Sequence, residues 1–165
     1  MRQTSRHFLF CAVASLGLAL PCLAATPAAE LQVRIGYLAY IPETGPLLSN
    51  VIPEPVDAGL RGAELAITDS NSTGRFLNQS YSLESASVDS PEALLAAAQA
   101  QHAQGLRLFV INAPAASLRQ LSAALPDSLL FNAGSADDRL RSTECLPNVL
   151  HSLPSRAMLA DALGQ

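Results

Sequence analysis

Residues 81–111, YSLESASVDSPEALLAAAQAQHAQGLRLFVI, contain the segment that decides the fold. Tyr81–Val88 reads as a strand, with a weak alternation at Tyr81, Leu83 and Ser85. Asp89-Ser90-Pro91-Glu92 is a strong helix start: a cap residue, a proline in the first turn and an acid at the positive end of the helix dipole. The alanine-rich run that follows continues to Gln104, and Gly105 supplies the stop. Leu106–Ile111 (LRLFVI) is the clearest strand in the chain. A strand, a helix and a second strand in this order predict a parallel pair joined by a helical crossover.

The same alternation extends in both directions. Upstream, Leu31–Tyr40 (LQVRIGYLAY) is mostly apolar, as a strand buried on both faces requires. A long irregular stretch, 41–56, carries prolines at 42, 46, 53 and 55; loops of that length are uncommon and often functional. Asp57 is the expected cap of a helix reaching about Ser70, with Ala58, Leu60, Ala63, Leu65 and Ile67 on its apolar side. Residues 71–79 are expected to turn. Downstream, a helix is expected over 115–125 and is closed by Pro126. Ser128–Phe131 reads as a short strand, Asp137–Ser142 as one helical turn and Asn148–Leu150 as a fifth strand. A last helix begins at Pro154 or Ser155, and its apolar pattern is still running at Gln165, so continuation into a further segment is expected. The fold class is therefore α/β, a parallel sheet with helices on both faces. In such sheets ligands bind beyond the carboxyl ends of the strands, near the point where strand order reverses. That rule puts 40–56, 112–116 and 132–138 on one rim.

The N-terminus predicts export. Arg2, Arg6 and His7 form a basic head, Phe8–Leu20 is an unbroken run of apolar and small residues, and Pro21 precedes small residues at Ala24 and Ala25. This is the layout of a signal peptide, 1–25, and the run is shorter than the ~20 residues that a spanning helix needs. The expected mature domain is 26–165, outside the cytosol and not membrane-spanning after cleavage. It carries eight arginines against fourteen carboxylates, a balance of −6, and the chain has no lysine. With no basic patch, nucleic acid is not an expected partner. Cys145 is the one cysteine left after cleavage, so it has no internal partner; it is read as a half-buried small residue.

The rim lacks the equipment of the common enzyme classes. There is no G-x-S-x-G elbow, and Asn112-Ala113-Pro114-Ala115-Ala116 offers no nucleophile. No clustered glycines form a phosphate or dinucleotide loop, and Gly59 and Gly62 fall inside a helix, where close packing explains them. His102, on a polar helix face, reads as solvated; Cys145 and His151 lack a recognised metal-ligand spacing; Asp137-Asp138 reads as a helix N-terminus. Asn71-Ser72-Thr73 matches the glycosylation sequon, a short motif that arises often by chance. What the rim does hold is Thr44, Asn112, Ser117, Asn132 and Ser135 for hydrogen bonding, with helix starts near Ala115 and Asp137 whose amides suit a carboxylate. That is binding equipment, with no enzymatic activity and no cofactor expected.

Taken together, these segments resemble the N-terminal lobe of type I periplasmic binding proteins, the branched-chain amino acid group that serves ABC importers. Ile35-Gly36-Tyr37 followed by Thr44-Gly45-Pro46, then Gly62-Ala63-Glu64-Leu65-Ala66-Ile67, then Val88-Asp89-Ser90-Pro91 carry the resemblance through their order and spacing. Tyr40-Ile41-Pro42-Glu43, Asp137-Asp138-Arg139-Leu140-Arg141 and the run Cys145, Asn148, His151, Pro154–Met158 are similar to a subgroup associated with PQQ-dependent alcohol dehydrogenase systems.

The resemblance implies a small organic solute held between two lobes, amino acid-like or related to alcohol metabolism, with an inner-membrane ABC permease as partner. The candidate ligand-binding set on this lobe is Tyr40, Thr44, Asn112, Ala113, Ala116, Ser117, Asn132, Gly134, Ser135 and Ala136. Alanines 116 and 136 stand where amino acid-binding members place hydroxyls, and Ser117 and Ser135 are their neighbours; this departs from a branched-chain amino acid site. The family closes a second lobe over its ligand by hinge motion, so one lobe alone is expected to bind weakly. An accessory or sensor lobe that recognises a protein partner, such as a dehydrogenase component, is the alternative expectation.

Overall fold

A computed structural model describes residues 30–42 and 55–164. The elements run β1 (Leu31–Tyr40), α1 (Ala58–Leu77), β2 (Gln79–Val88), α2 (Pro91–Ala103), β3 (Leu108–Asn112), α3 (Ala115–Ala124), β4 (Leu129–Asn132), a 3₁₀ turn (Asp138–Arg141), β5 (Val149–His151) and α4 (Arg156–Leu163). The five strands form one sheet in the order β2-β1-β3-β4-β5, every pair parallel. The order reverses between β1 and β3, which is the switch point of this doubly wound arrangement.

The segment that decides the fold behaves as its residues dictate. The Ser90 hydroxyl accepts from Ala93 N–H at 3.2 Å, Pro91 stands at the first helical position, and Gly105 closes the segment with φ +94°. Strand alternation then sorts the two faces. A Cβ on Gly36 would meet the Gln101 amide of α2 and the Phe109 ring, whereas its neighbour Tyr37 sits against Gly59 of α1. Successive strand residues point to opposite faces, so α1 and α2 cover opposite sides of the sheet. On the α2 side the core is dry: Leu38, Phe109, Ile111 and Leu130 from the strands meet Leu94 and Ala98 of α2 and Leu118 and Leu121 of α3, all buried.

Helix α1 corrects the expected turn over 71–79. It continues to Leu77 and ends with Asn78 in the left-handed region at φ 55°. Turn-favouring side chains are absorbed by the helix: the Thr68 and Ser72 hydroxyls donate to Glu64 and Asp69 carbonyls. The Asn71 amide donates to Tyr81 O at 2.8 Å and accepts from Tyr81 N at 2.7 Å, fastening α1 to β2. The sequon asparagine is thus inside a helix with both amide atoms bonded. Asp57 is the capping position but makes no side-chain cap; its carboxylate pairs with Arg61 at 3.0 Å. Gly59 has the close contact expected of it, and Gly62 has open space where a side chain would go. Among the described residues no helix is long and apolar enough to cross a membrane. The expected signal segment lies outside the described residues.

Candidate functional site

Three parallel strands end on the same rim. Tyr40 closes β1, Asn112 closes β3 and Asn132 closes β4. The loops after β3 and β4 wall a cavity of about 580 Å³ there. Of the sequence-expected residues, Tyr40, Asn112, Ala113, Ala116, Gly134, Ser135 and Ala136 line it. Gly134 is placed by close approach: a Cβ at that position would stand 2.5 Å from Ala113 N and 2.8 Å from the Asn112 carbonyl carbon, so only glycine lets the two loops touch. The first three amides of α3 follow Pro114, which provides no side-chain cap.

Two expected contributors are turned away from the cavity, and one falls elsewhere. Ser117, in the first turn of α3, is buried and does not line the cavity. Asn132 is fully buried and acts as the hub of the second loop. Its Oδ1 accepts from Ser135 N at 2.9 Å and Gly134 N at 3.3 Å; its Nδ2 donates to Ser135 O at 2.7 Å and to His151 Nδ1 at 2.9 Å. The side chain that looked available to a ligand is spent shaping the loop that lines the cavity. Thr44 lies outside the described residues.

The start of the 3₁₀ turn corrects the expected anion site at Asp137. The Asp137 carboxylate itself takes that position, accepting from Arg139 N at 3.1 Å and pairing with the Arg139 guanidinium at 2.9 Å. These bonds hold its pKa at about 2, Arg139 being the main cause. Asp137 and Asp138 act as turn and helix caps, as the sequence indicates, for Asp138 accepts from Ala157 N at 3.0 Å.

What sequence reasoning missed is arginine. Arg119, Arg139 and Arg156 all line the cavity, although they lie far apart in the chain. Arg119 and Arg139 are steadied by Glu144 at 2.6 Å and 3.5 Å. Among the described residues Arg156 has no acidic partner within ion-pair distance. The signal was present in the sequence: Arg119 falls one turn into the helix after the first loop, and Arg156 opens the last helix.

Away from the rim, two readings change. His102 is not free in solvent; its Nε2 lies 2.8 Å from Asp127, which Arg107 also holds at 3.1 Å. Cys145 is exposed, where the sequence suggested half-burial.

His151 gives the site a pH dependence. Burial, with the nearby Arg141 charge, lowers its pKa below the usual 6.5, while the Leu140 carbonyl opposes this weakly. Neutral imidazole leaves Nδ1 as an acceptor for Asn132, and the protonated ring cannot accept. Because the folded pKa is the lower one, this contribution is complete above pH 6.5 and is lost as pH falls from 6.5 through the folded value. A second window belongs to Asp137, lowered from 3.8 to about 2, and to Asp127 and Asp138, which are lowered as well; their contribution holds above 3.8 and is lost as pH falls through the lowered values. Thermal melts across pH 2 to 8 should therefore show a fall in midpoint below pH 6.5 and a second below pH 3.8, and His151→Asn should flatten the first step while leaving the acid one.

Compared with protein-family models the chain matches none, and no curated protein matches it.

Proposed function

We propose that this chain is a ligand-binding lobe of a periplasmic solute-binding protein that serves an ABC importer, without enzymatic activity of its own. The observation that carries the reading is the position of the cavity: it lies at the carboxyl ends of parallel strands, beside the β1/β3 switch point, between the loop after β3 and a loop after β4 pinned by the buried Asn132. The resemblance of the sequence to the N-terminal lobe of type I periplasmic binding proteins supplies the importer. Among the described residues the cavity wall offers amide, phenol, hydroxyl, carboxylate, guanidinium and main-chain groups, with no serine, cysteine or histidine set in nucleophile–base geometry. A small organic solute fits the volume and the mixed lining.

Among the described residues the cavity is open on one side, and binding by this chain is expected to be weak. Titration calorimetry with leucine, ethanol and lactate should find saturable binding of at least one, with a dissociation constant on the order of 1 mM, about −4 kcal/mol. The same solutes should be recovered unchanged. Turnover of a bound solute would overturn the reading. Absence of binding to all three, together with co-purification of a dehydrogenase component, would replace it with the partner-recognition alternative.

A further inference from the structure

We infer that the solute taken by this rim is a small organic monoanion, a carboxylate whose charged end sits among Arg119, Arg139 and Arg156. The inference rests on the proposed reading of the rim as a solute site. It begins from charge placement: the chain is acidic, with ten basic residues against fourteen acids, yet three of its arginines line one cavity. The described wall carries one carboxylate against them, Asp137, and that group is engaged by Arg139 and by the Arg139 amide.

Two further acids, Glu144 and Asp138, do not line the cavity. Glu144 holds Arg119 and Arg139 from outside the lining, and Asp138 is turned onto the Ala157 amide. Two guanidinium groups of the lining are thereby held in place by acids, so little reorganisation is required when an anion enters. Arg156 differs: its backbone N–H is bonded to Ala136 O at 3.0 Å, while its side chain has no acid within ion-pair distance among the described residues. Its charge is felt by Asp137 and Asp138 at longer range, and a planar guanidinium outside direct ion-pair contact can match a carboxylate in two parallel hydrogen bonds. The neighbouring acids keep the local field modest, which favours a single negative charge over the double charge of inorganic phosphate. The remaining wall, with Tyr40, Pro42 and the alanines, suits a short carbon skeleton.

A matched pair of probes tests this. Lactate and lactamide share one skeleton and differ in charge. Calorimetric titration of the full chain should give saturable lactate binding, at least tenfold tighter than lactamide and tighter than phosphate. Arg156→Gln should weaken lactate by about tenfold and leave lactamide unchanged, whereas Arg75→Gln, on the exposed last turn of α1, should change neither. Arg156 is exposed and, among the described residues, has no acid within ion-pair distance, only longer-range attraction to Asp137 and Asp138, so the variant is expected to melt close to the parent. Lactamide binding as tightly as lactate overturns the anion inference and leaves the solute-binding reading intact. Phosphate binding more tightly than lactate overturns the carboxylate assignment. Failure of both lactate and lactamide, with leucine and ethanol also failing, removes the solute-binding reading and the inference together.

Discussion

Asn132→Leu is expected to destabilise the protein by about 3 kcal/mol and to abolish solute binding, although position 132 does not line the cavity. Leucine keeps the branching at Cγ, is bulkier, and removes four hydrogen bonds. The Gly134 and Ser135 amides, the Ser135 carbonyl and His151 Nδ1 then lose their partner, and each buried polar group left unmade costs about 1–3 kcal/mol before relaxation. The loop relaxes to recover part of this by opening to water, and in doing so it withdraws Gly134 and Ser135 from the cavity wall. For a domain of this size about 3 kcal/mol corresponds to roughly 10 °C in thermal midpoint. Asn132→Asp separates the two effects. A carboxylate still accepts from both amides but cannot donate to Ser135 O or His151, so stability should fall by less and some binding should survive. A melt of Asn132→Leu that overlays the parent's would show that the loop is held by something else.

Phe109→Ala is expected to cost about 3–5 kcal/mol, the largest effect of any single truncation in the core. Phe109 is fully buried in β3, and its ring lies over Gly36 of β1, where a Cβ would stand 2.6 Å from the ring. The strand backbone at Gly36 carries no side chain that would fill the space, so the void stays open between sheet and α2. Against a typical total of 5–15 kcal/mol the variant stands near the edge of folding. Phe109→Leu, which keeps most of the volume, should lose about 1 kcal/mol. Chemical denaturation with the slope held common to all variants measures both; equal midpoints for Phe109→Ala and Phe109→Leu would contradict the packing described.

The class of fold was legible because its strongest signals are local. The Asp-Ser-Pro-Glu start, the Gly105 stop and the LRLFVI run each act within a few residues, and together they define a parallel crossover. The strand edges moved by one to two residues: β2 begins at Gln79, and β3 covers Leu108–Asn112. These edges are set by pairing register, with Ile35 opposite Leu108 and Leu108 opposite Leu129, and register is not a local property. The end of α1 was misread for the same reason. Asn71, Ser72 and Thr73 favour turns on their own, and it is the tertiary bond from Asn71 to the Tyr81 backbone that keeps them helical.

The site was half legible. Chain order and the switch-point rule placed both loops on the rim, because topology alone brings strand ends together. Side-chain direction was not available: Asn132 and Ser117 face inward, and nothing in their immediate sequence distinguishes them from Asn112 or Ser135, which line the cavity. The arginines were invisible as a group, since Arg119, Arg139 and Arg156 belong to three separate elements and meet only once the sheet order is known.

The most direct test is to map where a solute lands. Amide resonances of the isotope-labelled full chain, followed by NMR during a lactate titration, should shift at residues 112–116 and 133–137 and at Arg156, saturating together, with the α1 amides unchanged. Shifts confined to the exposed face of α1, or spread evenly over the chain without saturation, would contradict a solute site at the strand ends.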